Sequence, residues 1–288
     1  MKSPGKDVLR ARERRRRLRA RPLLHLVPNL FTILGLGAGL TGMRYAFDAR
    51  YELAVALIGV AIVFDGLDGR SARMLRITSK LGAQLDSLAD FLSFGVAPAI
   101  IVYLWSLHEV RGVGWALAML FATCCALRLA RFNVELEDPE KPRWTLYFFS
   151  GIPAPAAAGL ALLPLVASFV LGEGVMRSWS LNAAMFLFVA LMMVSRVPTF
   201  SIKRIRVEPH YIVPVLVVAM LVVVFLVTEP WTTLSVMGVL YLLSIPVSVL
   251  VAHRMQRREP EQPAPAEAAG GEGGASRIVS LEPRGPRG

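Results

Sequence analysis

Cysteine is nearly absent: the two in 288 residues are adjacent, Cys124 and Cys125, inside an apolar run. Neighbouring cysteines form neither a disulfide framework nor a CxxC metal site, so they read as two small buried hydrophobes. Charge is scarce too, at 18% of residues against about 25% in an ordinary soluble domain. The four histidines, His25, His108, His210 and His253, are scattered and lack metal-ligand spacing. No polar stretch between the apolar runs is long enough to fold as a soluble domain. What remains is 55% apolar with a mean hydropathy of +0.52, which excludes disorder and collagen.

The formal net charge of +11 is unevenly placed. Residues 1–21 carry ten Lys/Arg against two acids, while residues 254–288 carry six against five. A basic arm ahead of an apolar body suits anionic lipid headgroups rather than nucleic acid, including the run Arg14 to Arg17. The sequence therefore divides into a basic arm (1–22), expected to be cytoplasmic, a transmembrane body (23–253) and a Pro/Ala/Gly/Glu-rich tail (254–288) that reads as disordered.

A bilayer core of roughly 30 Å needs about 20 apolar helical residues. Eight segments meet or approach this: 27–47, 51–69, 87–107, 112–132, 151–172, 181–198, 211–228 and 232–252. The expected fold is an all-α integral membrane protein, a bundle of about eight transmembrane helices. With both ends inside, the inside segments hold 28 Lys/Arg and the outside joints four, Arg44, Arg50, Arg111 and Arg177. That asymmetry predicts a multi-pass inner-membrane protein with both termini cytoplasmic.

Four acids interrupt this pattern. Asp65 and Asp68 close the second apolar segment, and Asp86 and Asp90 open the third. Spacings of i,i+3 and i,i+4 put each pair on one helix face, and the two helices are consecutive. Each acid within a span costs on the order of 2.5–3.5 kcal/mol when ionised and unpaired. Salt bridges to Arg70, Arg73 and Arg76 are the plainer explanation; divalent cations held by carboxylate oxygens, with substrate phosphates completing the shell, are the stronger one. Gly66, Gly69, Ala72 and Gly82 leave room beside the acids. Arg73, eight residues after Asp65, lies about 80° round the helix, within reach of a phosphate.

Residues 65–90 read D-x-x-D-G-x-x-A-R-x(8)-G-x(3)-D-x(3)-D. This resembles the signature of the CDP-alcohol phosphatidyltransferase family at all eight defined positions. PNLFT at 28–32 resembles the family's opening of the first helix. SKLGAQLDSLADFLSFGVAPA (79–99), LRLARFN (127–133), GIPAPAAAG (151–159) and MVSRVPTFSIK (193–203) are similar to the branch that uses serine as acceptor. The resemblance implies the family's membrane fold and two divalent cations, Mg²⁺ or Mn²⁺, held by Asp65, Asp68, Asp86 and Asp90. By the same resemblance Asp90 is the general base, and Gly69, Ala72, Arg73, Gly82 and Ser79 contact the CDP moiety, with Asn29 and Thr32 completing that pocket.

The implied reaction moves the phosphatidyl group of CDP-diacylglycerol to the hydroxyl of L-serine and releases CMP, in a homodimer among membrane lipids. Arg128 and Arg131 are either positive-inside anchors or binders of the serine carboxylate or a lipid phosphate. Lys203, Arg204 and Arg206 divide the same way. Glycerol phosphate, inositol phosphate or choline are alternative acceptors within the family. A secondary transporter is the alternative outside it, although the acids occur once, and no second half repeats them.

Overall fold

The structure is a computed structural model that describes residues 26–75, 80–136, 148–195, 198–200 and 209–256. The basic arm, Ser79, the Lys203, Arg204 and Arg206 cluster and the tail from 257 onward lie outside the described residues.

The chain enters as α1 (Leu26–Phe47) and returns antiparallel as α2 (Tyr51–Leu75). These helices form the most extensive helix pair in the molecule. The cause is legible along α1, where Gly35, Gly39 and Gly42 follow at i, i+4 and i+7. A Cβ on Gly42 would stand 2.9 Å from the Ala54 carbonyl oxygen, and one on Gly35 would stand 3.3 Å from the Phe64 Cβ. Small residues let membrane helices approach closely where lipid supplies no hydrophobic drive between them. Stacked Phe31 and Phe64 rings, 6.2 Å apart, complete the contact. The joint is tight: Asp48 N–H and Arg50 N–H donate to the Tyr45 carbonyl, and Ala49 sits at φ 56°.

The third apolar segment is longer than the sequence suggested and is not one regular helix. It runs as α3 (Lys80–Asp90), a π-helical turn (Phe91–Val96) and α4 (Ala97–Trp105). The Ala97 N–H reaches the Leu92 carbonyl, and Pro98, which has no N–H to give, follows at once. The remaining elements are α5 (Arg111–Leu136), α6 (Ala154–Ala161), α7 (Leu163–Leu171), α8 (Trp179–Val194), α9 (Ile212–Thr228) and α10 (Pro230–Gln256). The segment expected as a single span over 151–172 is thus two stacked helices jointed at Leu162, with Pro164 in the first turn of the second. Apart from one ribbon, β1 (Phe148–Ser150) antiparallel to β2 (Pro198–Phe200), the regular structure is helical.

Five described helical segments are long and apolar enough to cross a bilayer, 27–47, 81–105, 107–134, 154–171 and 230–248, and two shorter apolar helices are α8 and α9. The protein is a multi-pass membrane protein. Its core lies between α2, α4, α5, α6 and α8, with Trp105, Phe94, Phe121 and Phe186 fully buried. Cys124 and Cys125 are buried free thiols in this core, as their apolar setting predicted. By contrast every residue of α9 is exposed.

At the end of the bundle far from the acids, polar groups form a clasp. The Ser106 hydroxyl donates to the Arg177 carbonyl (2.6 Å), and Arg177 Nε–H donates to the Trp105 carbonyl (3.2 Å). The buried Asn182 amide donates to the Met176 and Ser178 carbonyls, 2.9 Å each. At the acid-bearing end the Asn133 amide on α5 donates to Ser87 Oγ on α3 (2.9 Å). This bond fixes α5 against the helix that carries Asp86 and Asp90.

Candidate active site

Two consecutive antiparallel helices deliver the four acids to one place. Ligand-capable atoms of Asp65, Asp68 and Asp86 all lie within 4.8 Å of one another. Asp90 falls outside that trio but lines the same small pocket, together with Thr32 and Gly35 of α1, Ala61 of α2 and Ser93 of the π turn. The π turn begins immediately after Asp90. Such turns reset the register of a helix and often occur at functional sites. Gly39 makes room for it: a Cβ there would sit 2.5 Å from Ser93 Oγ and 2.9 Å from Ser93 Cα.

The trio is oriented from outside. Thr32 Oγ1, buried on α1, donates to Asp68 Oδ2 at 2.8 Å, with the Pro28 carbonyl 3.2 Å away as its other possible acceptor. Asp86 Oδ1 is buried and has no hydrogen-bond partner among the described residues. Three clustered carboxylates with an orphaned buried oxygen form an oxygen-only donor set, which fits hard divalent cations. The fit is therefore good for one metal ion or more held by these residues.

The sequence-predicted residues divide cleanly. Asn29, one turn before Thr32, is half-buried, as are Gly69, Ala72 and Gly82. Arg73 is exposed, and its guanidinium lies over Gly69, where an added Cβ would meet Nη1 at 3.5 Å. Gly66 opens to empty space, with nothing within 4 Å of an added Cβ. The two arginines of LRLARFN part company. Arg128 is half-buried and within electrostatic reach of Asp90, whereas Arg131 donates from Nη1 to the Val194 carbonyl at the end of α8 (3.4 Å). Arg131 thereby ties α5 to α8.

Sequence reading missed the Thr32–Asp68 bond as a brace, the π turn and Ser93, and Tyr241 of α10. The Tyr241 hydroxyl is buried without a hydrogen-bond partner among the described residues and lies within electrostatic reach of Arg128. Pro98 was a usable signal for the π turn. Nothing in the sequence pointed to Tyr241, because its helix is separated from α5 by about ninety residues.

The sequence model for CDP-alcohol phosphatidyltransferase fits residues 25–194, and that for CDP-alcohol phosphatidyltransferase 2 fits residues 210–246. The chain belongs to the CDP-alcohol phosphatidyltransferase family. It is 36% identical to a CDP-diacylglycerol–serine O-phosphatidyltransferase of Mycobacterium leprae (strain TN), over 78% of this chain and 75% of that protein. A protein of the same name from Helicobacter pylori (strain ATCC 700392 / 26695) is 36% identical over 76% of this chain and 89% of its own length. An archaetidylserine synthase of Methanothermobacter thermautotrophicus is 35% identical over 46% of this chain and 54% of its own length.

Proposed function

We propose that this protein transfers the phosphatidyl group of CDP-diacylglycerol to the hydroxyl of L-serine, forming phosphatidylserine and CMP. The observation that carries the reading is the carboxylate trio of Asp65, Asp68 and Asp86 with Asp90 beside it, brought together by two consecutive membrane helices. The names of the relatives support the choice of serine.

In this reading the trio, with Asp90, holds two divalent cations, Mg²⁺ or Mn²⁺. Bound there, they would neutralise the diphosphate and stabilise charge on phosphorus and on the departing CMP. Thr32 holds Asp68 in its ligating orientation. Gly69, Ala72, Arg73, Ser79, Gly82 and Asn29 surround the CDP moiety, the glycines and alanine by leaving space and Arg73 by meeting phosphate. Arg128 takes the serine carboxylate, which places the amino acid beside Asp90. Asp90 accepts the hydroxyl proton as the serine oxygen bonds to phosphorus and the bond to CMP breaks. The lipid tails stay in the bilayer throughout, while the headgroup reacts at the acid-bearing end of the bundle.

The charge asymmetry supports a cytoplasmic position for that end and both termini, at the inner membrane. The active unit is a homodimer. Purified protein supplied with CDP-diacylglycerol and a panel of labelled serine, glycerol phosphate, inositol phosphate and choline tests the reading. Phosphatidylserine as the dominant product supports it; a different phospholipid as the dominant product overturns it.

A further inference from the structure

Three stretches far apart in the chain meet at the end of α8. Arg131 of α5 donates from Nη1 to the Val194 carbonyl (3.4 Å), and the Ile152 N–H, just ahead of α6, donates to the Met192 carbonyl (3.3 Å). Gly151 lies against the same carbonyls at φ 76°. A Cβ there would stand 2.7 Å from the Met193 oxygen, 2.8 Å from that of Met192 and 3.0 Å from that of Ser195. Directly beside it, Ser150 of β1 pairs with Pro198 of β2. LRLARFN, GIPAPAAAG and MVSRVPTFSIK thus each supply one part of a single knot.

The knot follows from the chemistry of a helix end. The last carbonyls of a helix lack intrahelical partners and carry a partial negative charge, which suits a cation. Arg131 brings one there. Earlier in α5, Phe121 packs against Phe186 of α8, with ring centroids 4.9 Å apart. On another side, Asn133 holds α5 to Ser87 of α3. The last turns of α5 are therefore fixed from two directions, by α8 and by the helix that carries Asp86 and Asp90. Arg128 lies on this clamped stretch, half-buried and within electrostatic reach of Asp90. It stands about 4.5 Å along the axis and 60° round from Arg131. A shift or rotation of that turn moves both arginines together.

We propose that Arg131 is a positioning residue for the acceptor: its tie to the end of α8 fixes where Arg128 stands, and so sets how tightly an acceptor bearing a carboxylate is held. This rests on the reading in which Arg128 takes the serine carboxylate. A guanidinium grips a carboxylate through a rigid planar fork, so its direction counts as well as its charge. A misplacement of about 1 Å at a positioning group is enough to be costly. The contact of Arg131 with Val194 is different in kind: a peptide carbonyl asks for one donor, not for a fork. In the same reading the metals and the lipid donor are held from α1, α2 and α3, so their binding is separable from that of the acceptor.

The test uses the full-length protein in mixed micelles and reads serine KM, kcat, CDP-diacylglycerol binding without acceptor, and melting temperature. Arg131→Gln should raise the serine KM by about three- to tenfold, the scale of one lost hydrogen bond, with lipid binding unchanged. Arg131→Lys still offers a donor to the Val194 carbonyl and should restore the wild-type KM, whereas a fork on the acceptor's carboxylate would not survive that change. Gly151→Ala keeps both arginines but pushes the chain off the α8 carbonyls, and should raise the serine KM in the same way. If that variant does not fold, the Gln and Lys pair decides. A serine KM unmoved in Arg131→Gln overturns the proposal, as does a wild-type KM in folded Gly151→Ala. A KM raised equally by Gln and Lys also overturns it, because Arg131 then touches the acceptor itself. Arg128→Gln checks the reading beneath. An unmoved serine KM there overturns the assignment of the carboxylate to Arg128, and a KM raised there but not in Arg131→Gln overturns only the positioning role.

Discussion

Replacing Thr32 by valine keeps the shape of the side chain and removes one hydroxyl. That hydroxyl is buried, and its 2.8 Å bond to Asp68 Oδ2 joins α1 to the acid trio. A hydrogen bond to a charged group contributes about 1.5–3 kcal/mol, and outer partners of metal-binding carboxylates typically change metal affinity or activity by about 10–100-fold. These two figures agree, since about 1.4 kcal/mol is a factor of ten. Thr32→Val should therefore raise the Mg²⁺ or Mn²⁺ concentration needed for half-maximal activity by about 10–100-fold. Saturating metal should restore most of the rate, because the base and the substrate contacts remain. Thr32→Ser, which keeps the donor, should stay within about threefold of wild type. The assay is CMP release from CDP-diacylglycerol and serine across a metal titration. A Thr32→Val protein whose metal curve superimposes on wild type would refute the claim that this bond orients a metal ligand.

Other consequences follow from the same geometry. Excess chelator should abolish turnover and added Mg²⁺ or Mn²⁺ should restore it, while Asp86→Asn should remove activity yet leave the protein folded in detergent, checked by thermal unfolding. Asp90→Asn should lower kcat by about 10²–10⁴-fold, the usual contribution of a general base, with CDP-diacylglycerol binding retained, whereas Asp65→Asn should weaken lipid binding as well. At the far end of the bundle, Gly114→Ala should destabilise the protein by about 2 kcal/mol or more, because the added Cβ would stand 1.9 Å from the Leu107 carbonyl oxygen; a melting curve equal to wild type would contradict this. Cysteine labelling at His108, in the joint between α4 and α5, should succeed only from outside the cell.

The spans and the acid pairs were legible because their signals are local. Apolar runs of bilayer length announce helices, and i,i+3 and i,i+4 spacing fixes which acids share a face. The helix joint at 48–50 and the apolar setting of the cysteines were readable for the same reason. What the sequence did not disclose depends on contacts across the fold. Ser93 and Gly39 meet only because α1 crosses the π turn, and a π turn needs one residue more per turn than the helical period assumes. Arg128 and Arg131 are three residues apart with the same chemistry, yet Arg128 comes within electrostatic reach of Asp90 and Arg131 donates to a carbonyl of α8. Spacing alone offers no way to tell which. The place of Tyr241 depends on α10 packing against α7, two helices far apart in the chain with polar-poor sequences.

The central claim is that the acid nest makes phosphatidylserine by direct attack of serine on CDP-diacylglycerol. It is tested most directly by a single turnover of purified protein with radiolabelled serine and CDP-diacylglycerol, quenched over time, with and without divalent metal. Phosphatidylserine and CMP should appear together in equal amounts, at the same rate, only when metal is present. CMP released without serine incorporation, or labelled lipid formed in excess chelator, would contradict it.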